Sequence, residues 1–216
     1  MKTMNVNTNG NRKLQNTDTI RYMIWNLPAV KTCPFRTEMC EKSCYARKAE
    51  RIYPQVLPAR EKNYSDSLEN EFVENMIYTI EKYLNSKAFS GKKCVFRIHE
   101  SGDFYSVEYA EKWVEIAKHF TNDDRIVFLA YTKSITLFDF TALPENLVAR
   151  SSIWKDTAPD KIEFTAKNNI PIYTAGTEME VVQMKNNGFR VCKCENCSNC
   201  KMCWNKNIKN ITCKIH

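Results

Sequence analysis

Three cysteines stand close together in TCPFRTEMCEKSCYARK (32–48): Cys33, Cys40 and Cys44. A cysteine sulfur can be a nucleophile, a soft metal ligand or half of a disulfide. The chain has 216 residues, enough to bury a core without covalent staples, so its ten cysteines are not needed for stability. No positively charged start is followed by an apolar run. No stretch approaches the roughly 20 apolar residues that span a bilayer. The chain therefore reads as cytosolic and without a membrane partner. In a reducing compartment, clustered cysteines bind metal more often than they pair with each other. Three thiols suit an iron–sulfur cluster better than structural zinc, which takes four closed ligands. Three thiolates on a [4Fe-4S] cluster leave one iron free to bind a ligand.

A second group lies in VCKCENCSNCKMCW (191–204), where Cys194, Cys197, Cys200 and Cys203 are each separated by two residues. Such a run occurs in ferredoxins, and a zinc ribbon is the competing use. Cys192 is a further candidate ligand, so the group could hold a second cluster, supply a fourth ligand to the first, or bind zinc. Cys94 opens a strand and reads as a small buried hydrophobe, and Cys213 is assigned to neither group. The net charge is +7; residues 185–216 carry seven basic side chains against Glu195, which is +6 and leaves +1 for the rest. Such a tail fits nucleic acid, or lysines that offset metal-bound thiolates.

The elements that position these groups alternate. RYMIWNLPA (21–29), CVFRIHES (94–101), RIVFLAYTKS (125–134), NLVARSSIW (146–154), IPIYTAG (170–176) and FRVC (189–192) read as strands. Between them, SDSLENEFVENMIYTIEKYL (65–84) carries Leu68, Phe72, Met76, Ile80 and Leu84 at helical spacing, with Asp66 and Glu69 as a capping box. Residues 106–120 form a helix capped by Ser106, residues 159–169 one with Pro159 at its first position, and residues 177–188 one with the box Thr177/Glu180. The fold class is α/β: a partial (β/α) barrel or open, mainly parallel sheet of about six strands, since a full barrel takes about 250 residues. Residues 1–20 read as a loose segment, 21–190 as the α/β domain, and 191–216 as a metal-binding tail packed on it.

Active sites in such folds lie at the carboxyl ends of the strands. The cysteine loop follows the first strand. His99, Ser101, Gly102 and Asp103 follow the second, and Tyr131 and Lys133 end the third. Asp103, Lys133 and His99 are the candidate catalytic groups. Ser101, Gly102, Asp103 and Tyr131 are the candidate cofactor contacts, and Lys133 suits an anionic ligand or a sulfide. Alternatively, Asp103 and Ser106 cap the next helix.

Asn26–Ala29, Thr32–Pro34, Cys44–Lys48, RIHESGDFYS (97–106), AYTKS (130–134) and CxxCxxCW (197–204) together resemble the phage gene product 88 family over residues 20 to 204. The resemblance implies a phage or prophage origin, hence the cytoplasm of an infected host, and no settled activity. In that pattern the terminal group matches Cys192, Cys197, Cys200 and Cys203, with Cys194 as a competing ligand. A looser resemblance is to radical S-adenosylmethionine enzymes, which place three cysteines after the first strand of a partial barrel. It implies a four-iron cluster with one open iron and S-adenosylmethionine as cofactor. The spacing departs from theirs, being six then three residues in place of three then two. The expected function is redox or radical chemistry at a cluster, on an unknown small molecule or a host or phage macromolecule. The alternatives are a zinc module that binds nucleic acid, and a non-catalytic protein with a structural cluster.

Overall fold

A computed structural model describes residues 1–9, 11, 13–193 and 195–215. Seven strands form one open sheet: β1 (Ile20–Trp25), β2 (Lys93–Ile98), β3 (Ile126–Thr132), β4 (Leu147–Ser152), β5 (Ile172–Gly176), β6 (Arg190–Val191) and β7 (Asn210–Lys214). Their order is β1-β2-β3-β4-β5-β7-β6, and every pairing is parallel. The helices are α1 (Glu38–Lys42), α2 (Tyr45–Ile52), α3 (Val56–Leu68), α4 (Phe72–Leu84), α5 (Val107–His119), α6 (Pro159–Lys167), α7 (Glu178–Asn186) and α8 (Cys197–Cys200).

The expected α/β class and parallel sheet are observed, with one strand more than expected. The addition is β7, which enters between β5 and β6 and buries Ile211 and Cys213.

From β1 to β5 each strand lies beside its predecessor. Right-handed crossovers that always step in one direction fall on one face of a sheet. Strand alternation then divides the core in two. Met23, Trp25, Phe96, Ile98 and Phe128 point to the face covered by α4 and α5, where Phe72, Tyr109 and Trp113 complete an aromatic core. Tyr22, Ile24, Val95, Val127 and Leu129 point to the other face. Among the described residues, that face has no long crossover helix of its own. It is covered by Leu14 near the amino terminus and by Cys203, Trp204 and Ile208 of the tail.

The stripe expected to run as one helix from residue 65 to 84 is two helices, broken at residues 69–71. Leu68 is accordingly 56% exposed, while Phe72, Met76, Ile80 and Leu84 are buried. Asp66 caps nothing; it accepts from Lys2 and Lys62. The amino-terminal segment, read as loose, buries Met4, Val6 and Leu14, and Asn7 bridges to Ile24. The caps at Ser106 and Thr177 and the Pro159 start are as expected.

Candidate functional site

The chain between β1 and α1 is held by the chain that follows β2. Asn26 Oδ1 accepts the N–H groups of Glu100 and Ser101. Ser101 Oγ donates to the Leu27 carbonyl, and Thr32 accepts from the Asp103 N–H through its own carbonyl. Gly102 has φ +80°, and a Cβ there would lie 2.6 Å from both Leu27 Cβ and Thr32 Oγ1. Ser101 and Gly102 therefore clamp the root of the cysteine loop. Gly102→Ala adds a strained backbone and two overlaps, and is expected to cost about 2–3 kcal/mol, read as a lowered urea midpoint.

The loop then places Cys33 before α1, Cys40 inside it and Cys44 at the N-cap of α2. All three are half-buried. Burial pushes the Cys33 thiol up to about 12, and the charges of Asp103, Cys40 and Cys44 add to the effect. Burial also raises Cys40, with the Lys133 ammonium opposing it. The three thiols, Asp103 and Lys133 thus share one electrostatic neighbourhood at the carboxyl end of the sheet.

Asp103 is buried and caps no helix. Its carboxylate accepts Thr132 Oγ1 at 2.5 Å and the N–H groups of Phe104 and Lys133 at 2.8 and 2.9 Å. Burial raises its pKa against the pull of these three donors. Lys133 is 7% exposed, donates to the Ser152 carbonyl at 3.1 Å and lies 4.8 Å from the Trp154 ring. Beside it opens a cleft of about 460 Å³ between the cysteine loop and the ends of β3 and β4. Of the expected pocket residues, Lys133 lines this cleft; His99, Ser101 and Asp103 do not.

His99 is placed in the aromatic core. Alternation from Phe96 and Ile98 would send it to the tail side, but its φ of +63° reverses the side chain toward α5. Its ring meets Phe104 and stacks on Tyr109, whose hydroxyl lies 2.9 Å from Nε2. Trp25 Nε1 donates to the same hydroxyl, and among the described residues His99 Nδ1 is buried without a hydrogen-bond partner. Burial, then the nearby Arg97, drops His99 to about 3. The unfolded chain therefore takes up a proton that the folded chain refuses. Stability present above pH 6.5 is lost as pH falls toward 3, about 2 kcal/mol of it by pH 5. In His99→Asn, the difference between urea midpoints at pH 7 and pH 5 should shrink by that contribution.

The second cysteine group lies on the opposite face of the sheet. Cys197 is pushed up to about 12 by burial, then by the charges of Cys203, Cys192 and Cys200. Cys194 lies outside the described residues. Tyr131, expected among the cofactor contacts, hydrogen-bonds Cys203 instead, and its ring carries the Arg97 guanidinium at 3.8 Å. Burial raises the Cys203 thiol, and the charges of Arg150 and Arg97 oppose it. Tyr22 OH meets Ser198 Oγ at 3.0 Å, and Cys197 N–H donates to the Lys13 carbonyl. Sequence reasoning missed these two arginines. Each is a lone cation inside an apolar strand, which is the signal that could have found them.

None of the nine described cysteines is in a disulfide. Among the described residues, no three His, Cys, Asp or Glu side chains converge as a single bound ion requires. Cys33, Cys40 and Cys44 occupy a loop, a helix and an N-cap respectively.

Fold and site define an open, all-parallel α/β protein with one cysteine group at its strand ends and another beneath its sheet. The family model described as Gene product 88 matches residues 2–206, and the chain belongs to the gene product 88 family. A relative, the Gene 88 protein of Mycobacterium phage D29, is 26% identical over 135 residues, covering 61% of this chain and 54% of that protein. The chain thus spans about half the length of the curated relative it matches. These matches make it a bacteriophage-type protein. No solved structure matches it. Among the described residues, no helix is long and apolar enough to cross a membrane.

Proposed function

We propose that this phage protein holds a [4Fe-4S] cluster on Cys33, Cys40 and Cys44 and works in the cytoplasm of the infected host. The observation that carries the reading is the shared neighbourhood of three half-buried thiols, Asp103 and Lys133 beside a cleft at the strand ends. When bound, such a cluster supplies one-electron chemistry, with one iron left open by the three-thiolate set. The chain's own part is to hold the loop rigid through Asn26, Ser101 and Gly102, and to place Lys133 as a cation near the sulfurs. The role of Asp103 is positional, since its three donors fix the ends of β2 and β3 relative to each other.

The tail thiols Cys192, Cys197, Cys200 and Cys203 are the proposed ligands of a second centre, a cluster or zinc, and would have to draw together to hold a single zinc ion. The charges of Arg150 and Arg97 oppose the rise that burial gives the Cys203 thiol. The competing reading, a zinc module that grips nucleic acid through a basic tail, has weaker support. Lys206 and Lys214 already pair with Glu145 and Glu178, and Cys203 faces the sheet.

Protein purified without oxygen tests the proposal through its iron, sulfide and zinc content. About four irons and four sulfides per chain are expected for the loop alone, and about eight of each if the tail also holds a cluster. Zinc without sulfide would leave the nucleic-acid module as the better account. Adding S-adenosylmethionine to the reduced sample asks whether it is the ligand of the open iron.

A further inference from the structure

Two lysines meet in the cleft beside the cysteine loop. Lys133 Nζ donates to the Ser152 carbonyl, and Lys161 Nζ donates to the Lys133 carbonyl at 3.0 Å while lying 3.2 Å from the Phe35 ring centroid. Among the described residues neither ammonium forms an ion pair with a carboxylate, although an ammonium has three donors to satisfy. Asp160, in the first turn of α6, adds its charge to the surroundings of Lys161; the other acids around the two lysines are engaged elsewhere. Glu38 pairs with Lys42, Asp156 accepts the Met39 N–H at 2.7 Å, and Asp103 beneath the floor accepts three donors. Arg36, also at the cleft, is taken by Glu41. Burial lowers Lys133, and lowers Lys161 to about 8, so the fold holds both cations at a cost that a bound anion would offset.

The amino end of α6 adds little to this charge: Pro159 has no N–H, and the Lys161 and Ile162 N–H groups donate to the Ala158 carbonyl. The remaining wall is apolar, from Phe35, Ile135 and Ile153. About 460 Å³ is room for a small organic molecule.

We infer that this cleft binds the oxyanion head of a small organic substrate between Lys133 and Lys161, with its apolar body against Phe35, Ile135 and Ile153. The inference rests on the cluster reading only in taking this cleft as the substrate side of the site. Phosphate and carboxylate share the required chemistry. Lysine acts as a point charge and does not demand a planar partner.

Calorimetric titration of the full chain with phenyl phosphate and with benzoate, at fixed ionic strength, tests it. One or both should bind, and the tighter head identifies the substrate's anion. Lys161→Met should weaken binding about tenfold or more, the loss of one charge-assisted hydrogen bond. A second measurement avoids the variant: acetylation of Lys161 in the unaltered chain, followed by mass spectrometry, should slow when the bound compound is present. Failure of both compounds to bind would overturn the inference. So would unchanged affinity in Lys161→Met together with unprotected Lys161. Iron content is read on the same samples. Loss of iron without loss of anion binding would remove the cluster reading alone, and the reverse result would remove only the anion site.

Discussion

Cys40→Ala is expected to leave the loop without iron while the chain still folds. With one thiolate per iron, a three-cysteine cluster already has one iron without a protein ligand. Removing Cys40 leaves two anchors at Cys33 and Cys44, separated by a helix whose remaining side chains offer no thiolate. The fold loses little, because Cys40 is half-buried on a five-residue helix with no fully buried side chain. A change within about 1 kcal/mol in unfolding free energy is expected for the metal-free protein. Iron and sulfide should fall by the whole content of the loop, and metal held by the tail should remain. Cys203→Ala should do the converse. Cys203 is 6% exposed and packed beneath the sheet, so that change should also lower stability. Metal analysis beside urea midpoints of both variants separates the two centres.

Arg150→Met is the second large effect. Arg150 is fully buried in β4, and its guanidinium donates to the carbonyls of Cys203, Lys209, Met202, Asn205 and Ile208. All five belong to the stretch between α8 and β7. One side chain therefore shapes the loop that carries Cys203 and delivers β7 into the sheet. Methionine fills much of the volume but leaves those carbonyls buried without donors. The expected loss is about 3–5 kcal/mol. Arg150→Lys should recover only part of it, since an ammonium has three donors and no planar fork. Chemical denaturation gives the magnitude. Limited proteolysis gives the location, with new cleavage expected in residues 201–209.

The sheet was legible in the sequence wherever a strand was long and a capped helix followed it. β2, α5 and β3 are such a run, and the Thr177/Glu180 capping box marked α7. β7 was not legible. Asn-Ile-Thr-Cys-Lys is five residues long, follows a cysteine-rich segment and is buried on both faces, so it carries no alternation. α2 and α3 escaped for a different reason: they are mostly polar and bury few residues. The false continuation of α4 back to residue 65 came from Leu68, whose spacing fits the stripe although it faces solvent.

At the site, the nearness of Lys133 to the cysteine loop was readable from its position at a strand end. The place of His99 was not, because one left-handed residue reverses a side chain and periodicity has no term for it. Arg97, Arg150 and Lys161 lie far apart in sequence from the groups they serve. The fold brings them there, and no local motif announces them.

The most direct measurement is the Mössbauer spectrum of protein carrying ⁵⁷Fe, prepared without oxygen, with zinc determined on the same sample. A cluster on three thiolates has one iron unlike the other three. The account predicts a four-iron signal with one distinguishable site that broadens or shifts when a ligand is added. In Cys40→Ala that signal should disappear. A sample that contains zinc and no sulfide, or one whose iron signal is the same in Cys40→Ala, would contradict a cluster at Cys33, Cys40 and Cys44.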